Sequence, residues 1–120
     1  MPSVVRLSET APGSQPLPKL GYSAPELVVC GAPVEYGYTY YCDPAGRMIA
    51  GIWESEPGSL RFESYPCDEF CYVLSGSITL QETDGEAQEF SAGDSFVICR
   101  GFRGLWQMTE RTKKYYVECR

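Results

Sequence analysis

Turn-forming residues recur along most of this 120-residue chain at intervals of about ten residues, and this spacing constrains the fold more than any other feature. The segments between the turns are short and rich in Val, Ile, Phe and Tyr, and none shows a sustained 3.6-residue apolar period. The pattern predicts a β-sandwich or barrel with few, short helices. Turns combining Pro, Gly, Asp or Ser are predicted at 43–46, 56–59, 84–85 and 91–94. Strands are predicted at 36–42, 47–55, 59–65, 69–75, 77–83, 86–90, 94–99, 104–109 and 112–118.

The first 25 residues differ from the rest, because they hold five of the nine prolines. Proline donates no ladder hydrogen bond, so this segment is predicted to be an extended, irregular or edge-covering arm rather than a central strand. The domain prediction is an N-terminal arm at 1–25 and one β-barrel domain at 26–120. The arm is also a candidate for packing across a neighbouring subunit.

Charge and hydropathy exclude several classes of function. Ten Lys and Arg stand against 16 Asp and Glu, and the formal charge of −6 opposes sequence-independent binding of nucleic acid. No window holds about 18 consecutive apolar residues, and residues 1–10 lack a charged-then-apolar signal pattern. We expect a cytoplasmic protein that contacts neither membrane nor nucleic acid.

Six cysteines admit two interpretations. An even number in a short chain is compatible with a disulfide framework, but without a secretion signal the reduced, structural form is preferred. Cys67 and Cys71 are spaced C-x3-C, which on one extended strand separates them by about 13 Å. That spacing by itself is weak evidence for a metal site.

Two stretches resemble the cupin superfamily of RmlC-like jelly rolls, and within it the small single-domain cupins related to ureidoglycine aminohydrolase and ethanolamine-utilisation protein Q. They are 65–76, YPCDEFCYVLSG, and 93–106, GDSFVICRGFRGLW. Trp53 and the ending Lys113-Lys114-Tyr115-Tyr116 also match that subgroup. The resemblance implies an all-β, single-domain cupin double-stranded β-helix, a jelly-roll barrel that carries the extended proline-rich N-terminal arm described above.

The histidines of the cupin motifs are missing, since the chain contains no histidine. With Glu69 and Gly76 as anchors, the first two histidine positions of the family fall on Glu63 and Tyr65, or in the other register on Phe62 and Ser64. In the second motif the proline position is Cys99. The last histidine position is Gly104, which is expected to leave room beside Trp106.

If the family's ligand positions point inward, strand alternation brings a mixed set of side chains into the barrel. The predicted interior set is Glu63, Tyr65, Glu69, Cys71, Trp106 and Met108. A transition metal in such barrels relies on neutral imidazoles, so no cofactor is expected. If a divalent metal is present, its predicted ligands are Glu63, Glu69 and Cys71.

The candidate catalytic residues are Glu69, Glu63 and Tyr65, because two carboxylates in a small cavity can form an acid/base pair. The alternative is that Glu63 is a solvated residue facing outward and that only Glu69 is internal. The order of residues 60–65 does not decide between these two placements. Candidate ligand-binding residues are Trp106, Cys71, Met108, Trp53 and Arg103.

Three functions stay open from the sequence. The favoured one is a cupin that binds a small polar metabolite without the histidine metal site. The others are an aminohydrolase-like metalloenzyme with a non-standard ligand set, as the resemblance implies, and a metal-free isomerase or lyase using Glu and Tyr. A homodimer is expected by analogy, because jelly rolls leave sheet edges that pairing can cover.

Overall fold

The computed structural model describes residues 3–120, so Met1 and Pro2 of the predicted arm lie outside the described residues. Strands dominate it, and the one helical element among these residues is a three-residue 3-10 turn at Pro12–Ser14. The prediction of few, short helices is confirmed. The strands are β1 Lys19–Tyr22, β2 Val28–Cys30, β3 Val34–Cys42, β4 Met48–Ser55, β5 Gly58–Phe62, β6 Asp68–Ser75, β7 Ser77–Glu82, β8 Ala87–Ser91, β9 Ser95–Ile98, β10 Gly104–Met108 and β11 Thr112–Cys119. No described helix is long and apolar enough to span a membrane.

Two antiparallel sheets face each other. The six-stranded sheet has the order β1-β3-β4-β11-β6-β9, and the five-stranded sheet has the order β2-β5-β10-β7-β8. Strands distant in sequence are therefore neighbours, which is the arrangement of a jelly roll. Along β6, buried residues alternate with exposed ones, so Glu69, Cys71 and Val73 point between the sheets as the two-residue period predicts.

The core lies between the sheets and is aromatic at its centre. Phe96, Ile98, Ile78 and Leu80 fill one end, next to Trp106. Burial of such side chains stabilises the fold by about 1.5–3 kcal/mol each. Packing against these side chains fixes the position of the Trp106 ring inside the barrel.

The N-terminal segment is partly regular, because Lys19–Tyr22 pairs with β3 at the edge of the six-stranded sheet. β1 and β2 were not among the predicted strands. Residues before β1 lie on the outer face of this sheet, where the Tyr40 hydroxyl donates to the Thr10 carbonyl at 2.5 Å. The Lys113 ammonium donates to the Glu9 carbonyl at 3.3 Å. This packing explains why Ile52, on the outward face of β4, is fully buried.

Candidate functional site

A buried lysine stands at the centre of the polar groups inside the barrel. Lys114 lies on the inward face of β11, and its ammonium is 2.6 Å from Glu69 Oε2. Both side chains are almost inaccessible to solvent, with 5% and 4% of their surface exposed. The same ammonium donates to Cys71 Sγ at 3.4 Å. Charged groups this deeply buried need partners, and here each provides the other's counter-charge.

Glu69 accepts three hydrogen bonds, which account for both carboxylate oxygens. The Tyr65 hydroxyl donates to Oε1 at 2.9 Å, and the Cys71 thiol donates to Oε2 at 3.0 Å beside Lys114. Tyr65 itself is held in place by its backbone, since its N–H donates to the Phe102 carbonyl and its carbonyl accepts from Gly101. The turn after β9 thus fixes the position of Tyr65, which precedes β6 in the chain.

Two indole rings enclose the Lys114 ammonium. Its nitrogen lies 4.7 Å from the ring centroid of Trp53 and 4.5 Å from that of Trp106. Cation–π contacts are worth about 2 kcal/mol or more when desolvated. The Trp106 ring is parallel to Tyr65, with centroids 6.4 Å apart, and meets Trp53 edge to face. We call Tyr65, Glu69, Cys71 and Lys114, with these two rings, the floor cluster.

The pKa values of the floor cluster follow from burial and from the ion pair. Burial raises the pKa of the Tyr65 hydroxyl, and Glu69 raises it further. Burial likewise raises the pKa of the Cys71 thiol to about 12. For Glu69, burial opposes ionisation, but the Lys114 charge and three hydrogen bonds outweigh it and lower the pKa. For Lys114, burial opposes protonation, but Cys71 and Glu69 outweigh it and raise the pKa. At neutral pH the cluster holds one carboxylate, one ammonium, a phenol and a thiol.

Acid should remove the contribution of Glu69 to stability. Its pKa is lowered by folding, so this contribution is present above the ordinary value of 4.5 and is lost as the pH falls through the lower folded value. We expect the difference in unfolding free energy between wild type and Glu69→Gln to be constant from pH 8 to about 5 and to shrink below about 4.5. Chemical denaturation across this range measures it. A difference that grows on acidification would contradict the ion pair.

A cavity of about 470 Å³ opens from the floor cluster toward β1. Volumes of about 300–1,000 Å³ are typical of sites for small molecules. The members of the floor cluster other than Cys71 line its base. Its outer wall includes the exposed side chains Leu20 and Tyr22 of β1. The remaining lining residues are Gly21, Ala24, Leu27, Glu35, Leu60, Phe62, Tyr116 and Glu118.

The prediction that Glu63 faces the barrel interior is wrong. In β5 the side chains of Leu60 and Phe62 point inward and that of Arg61 is exposed, so continuing the two-residue period places Glu63 on the exposed face. The Glu63 side chain is 73% exposed and lies 3.2 Å from the exposed guanidinium of Arg103. Arg103 also lies outside the cavity lining. The predicted metal set of Glu63, Glu69 and Cys71 therefore does not converge.

Other predicted residues lie inside the barrel with different surroundings. Met108 is buried in the apolar core, and neither it nor Cys71 lines the cavity. The expected free space at Gly104 is absent. A Cβ there would meet the Gln81 carbonyl, and the Phe102 ring lies 2.9 Å from the same point. The last histidine position of the family is thus closed by packing.

The resemblance to cupins implies a metal, and the donor set of this chain does not fit one. Cys67, Glu69 and Glu118 offer three ligand atoms within 4.8 Å of one another. However, Glu69 is already paired with Lys114, and Glu118 lies 2.8 Å from the Arg120 guanidinium. Burial, followed by the charges of Glu118 and Glu69, raises the pKa of the Cys67 thiol, which opposes formation of the thiolate that binds metals.

Sequence reasoning missed several cavity residues with functional groups, among them Lys114, Glu35, Tyr116 and Glu118. For Lys114 the alternation of β11 gave no signal, because the opposite face, which carries Tyr115 and Val117, is the more apolar one in the sequence. A lysine on the inward face of a strand requires a buried anion. Glu35 carried no signal either, because its position depends on the pairing of β3 with β1 and β4.

Two antiparallel sheets that enclose a cavity with polar groups at its base are the architecture of a cupin, a small jelly-roll barrel. The chain belongs to the family of EutQ-like cupin domains, whose model matches residues 42–116. The resemblance seen in the sequence is therefore confirmed at the level of the superfamily and of EutQ-type small cupins. No curated protein matches the chain.

Solved structures agree on the fold. A DUF861-family protein of unknown function from Pseudomonas syringae pv. tomato has a TM-score of 0.74 and 21% identity, covering 85% of this chain and 43% of that one. The putative ethanolamine utilization protein Q of Salmonella typhimurium has a TM-score of 0.61 and 19% identity, covering 74% and 70%. A DUF861 protein from Thermotoga maritima has 31% identity and a TM-score of 0.50, covering 54% and 73%. This chain thus spans less than half the length of the Pseudomonas protein.

Proposed function

We propose that this protein binds a small polar metabolite in the barrel cavity, and that it does so without a metal ion. The observation that carries the proposal is the position of the Lys114 ammonium. It contacts both Glu69 Oε2 and Cys71 Sγ, the inward-facing groups that a metal at the base of the barrel would use. A permanent internal cation neutralises the carboxylate and leaves the volume above it free for a ligand.

An unused hydrogen-bond donor supports a polar ligand. Trp106 Nε1 is buried, and it has no acceptor among the described residues. A buried N–H without a partner costs about 1–3 kcal/mol, so such groups are normally satisfied by protein, water or ligand. The Trp106 ring lines the cavity but Nε1 has almost no accessible surface there, so an oxygen of a bound metabolite can accept from it once the ring shifts.

The floor cluster favours binding over catalysis. A general acid or base works best with a pKa near the operating pH, whereas here the pKa values of Tyr65 and Cys71 are raised and that of Glu69 is lowered. Glu69 also already accepts hydrogen bonds from three donors. The isomerase or lyase alternative is therefore less well supported. The aminohydrolase-like alternative needs a metal-activated water, which the donor set described above does not favour.

Ligand binding can be tested by screening polar metabolites for thermal stabilisation and confirming each hit by calorimetry. Leu27→Trp adds bulk inside the cavity, and Val29→Trp adds the same ring at a residue that is 52% exposed and lies outside the cavity lining. We expect hits that bind wild type and Val29→Trp but bind Leu27→Trp at least tenfold more weakly. Stabilisation by ligand follows mass action, so it grows with ligand concentration.

Two results would contradict this proposal. One is a screen without hits, or with hits that bind Leu27→Trp as well as wild type, which would remove the cavity as the binding site. The other is about one transition-metal ion per chain in protein purified without a metal-affinity column. That metal content would favour the metalloenzyme alternative.

A further inference from the structure

The charges that line the cavity do not balance. Glu69 is neutralised by Lys114, and Glu118 is neutralised by Arg120 at 2.8 Å. Glu35 is the third carboxylate of the lining, and no described lysine or arginine forms a salt bridge with it. The cavity wall therefore carries one negative charge that the described residues leave without a counter-charge.

Glu35 is fixed in place by neutral donors. The Trp53 indole N–H donates to Oε1 at 2.9 Å, and the Ser23 hydroxyl donates to Oε2 at 2.5 Å. Each carboxylate oxygen can accept a further hydrogen bond, so the group is oriented but not saturated. Trp53 also covers Lys114 with its ring face. One indole thus separates the compensated ion pair at the floor from the uncompensated carboxylate nearer the opening.

The cavity that Glu35 lines also has an apolar wall. Leu27, Leu60 and Phe62 line the same cavity, and all three pack with the aromatic core. A carboxylate beside apolar and indole surfaces is the combination that recognises an organic cation, because the charge binds the carboxylate while the carbon skeleton displaces water from the walls. A bound anion would face Glu35 without a free cation to offset the repulsion.

We infer that the metabolite is a small organic cation, a primary ammonium on a compact body, whose N–H groups bind Glu35 and whose body packs along Leu27, Leu60 and Phe62. This inference rests on the proposed binding function and specifies its ligand class.

Three probes that share one body and differ in charge test the inference. They are tyramine, tyrosol and 3-(4-hydroxyphenyl)propionate, which end in an ammonium, a hydroxyl and a carboxylate. Calorimetry on wild type should show tyramine binding at least tenfold more tightly than tyrosol, with the propionate weakest, since hydrogen bonds between charged groups are the stronger class. Added salt should weaken the binding of tyramine and leave the binding of tyrosol unchanged.

Glu35→Gln removes the charge but keeps an oxygen for the Trp53 N–H, and its amide can donate to Ser23. It should lower tyramine affinity about tenfold or more and change tyrosol affinity less than threefold. Glu89→Gln, on the exposed strand β8, makes the same change in net charge away from the cavity and should alter neither. A variant that fails to fold would be recognised by its circular dichroism, and the three-probe order on wild type then decides alone.

Failure of this inference differs from failure of the binding function. If the propionate binds more tightly than tyramine, or if tyramine binds Glu35→Gln as tightly as wild type, the ligand is not an organic cation held by Glu35. The cavity would still be a binding site. If none of the three probes binds, the metabolite screen decides. Hits that are neutral or anionic would contradict the inference of a cationic ligand, and a screen without hits would contradict the binding function itself.

Discussion

Lys114→Met is expected to lower the free energy of unfolding by about 3–5 kcal/mol, because it leaves the Glu69 carboxylate buried without a counter-charge. Methionine keeps an unbranched apolar side chain between Trp53 and Trp106, so the loss of packing is small. The Lys114 ammonium lies 2.6 Å from Glu69 Oε2, and both side chains are almost completely buried. Removing one partner of such a pair causes a large loss of stability. Urea denaturation at pH 7 measures the loss.

A double variant isolates the ion pair from the packing. In Lys114→Met with Glu69→Gln no charge remains, and the amide oxygen can still accept from Tyr65, so the double change should cost clearly less than the sum of the single ones. Lys113→Met is the matched control. The Lys113 side chain is 24% exposed on the opposite face of β11 and lies 3.9 Å from Glu54. Its replacement should lower the free energy of unfolding by less than about 1 kcal/mol. Equal losses for the two lysines would contradict a buried pair at the centre of the fold.

The strands could be predicted closely because turn chemistry and alternation are local. Gly46 N–H donates to the Asp43 carbonyl in the predicted turn, and Asp84 adopts the positive φ of 65° that Asp and Gly tolerate in hairpins. Predicted strands between 36 and 118 match observed ones with ends that mostly differ by one or two residues. The exception is β5, which ends three residues early at Phe62. Glu63 was expected inside because a histidine position of the family falls on it, whereas the alternation of β5 places it on the exposed face with Arg61.

Partners across the sheets could not be predicted, because pairing over long sequence distances leaves no local trace. β11 lies between β4 and β6, so Lys114 is opposite Trp53 on one side and Val73 on the other. Nothing near Lys114 in the sequence identifies Glu69, 45 residues earlier, as its partner. From the absence of histidine we expect no histidine-bound metal, but only the register shows that Lys114 brings a positive charge to Glu69 inside the barrel.

Trp106→Ala is the second variant with a large expected effect, about 3–5 kcal/mol of lost stability. The side chain is 3% exposed and packs against Tyr65, Phe96 and the Lys114 ammonium. Its removal joins a new void to the existing cavity, so water reaches the Lys114 and Glu69 pair and the cation–π contact is lost. Denaturation with urea should show the lower stability, and ligand affinity should fall as well.

Trp106→Phe separates the two roles of this residue. Phenylalanine fills most of the volume but has no N–H, and Nε1 has no acceptor among the described residues, so no protein hydrogen bond is lost. Trp106→Phe should therefore lower the free energy of unfolding much less than Trp106→Ala does. We expect a loss of about 1–2 kcal/mol, which reflects the smaller side-chain volume in the core. If Nε1 serves the ligand, Trp106→Phe should weaken binding about tenfold while the protein stays folded at 25 °C. Unchanged affinity would show that the indole N–H has no part in recognition and that Trp106 acts only as the wall that shields Lys114.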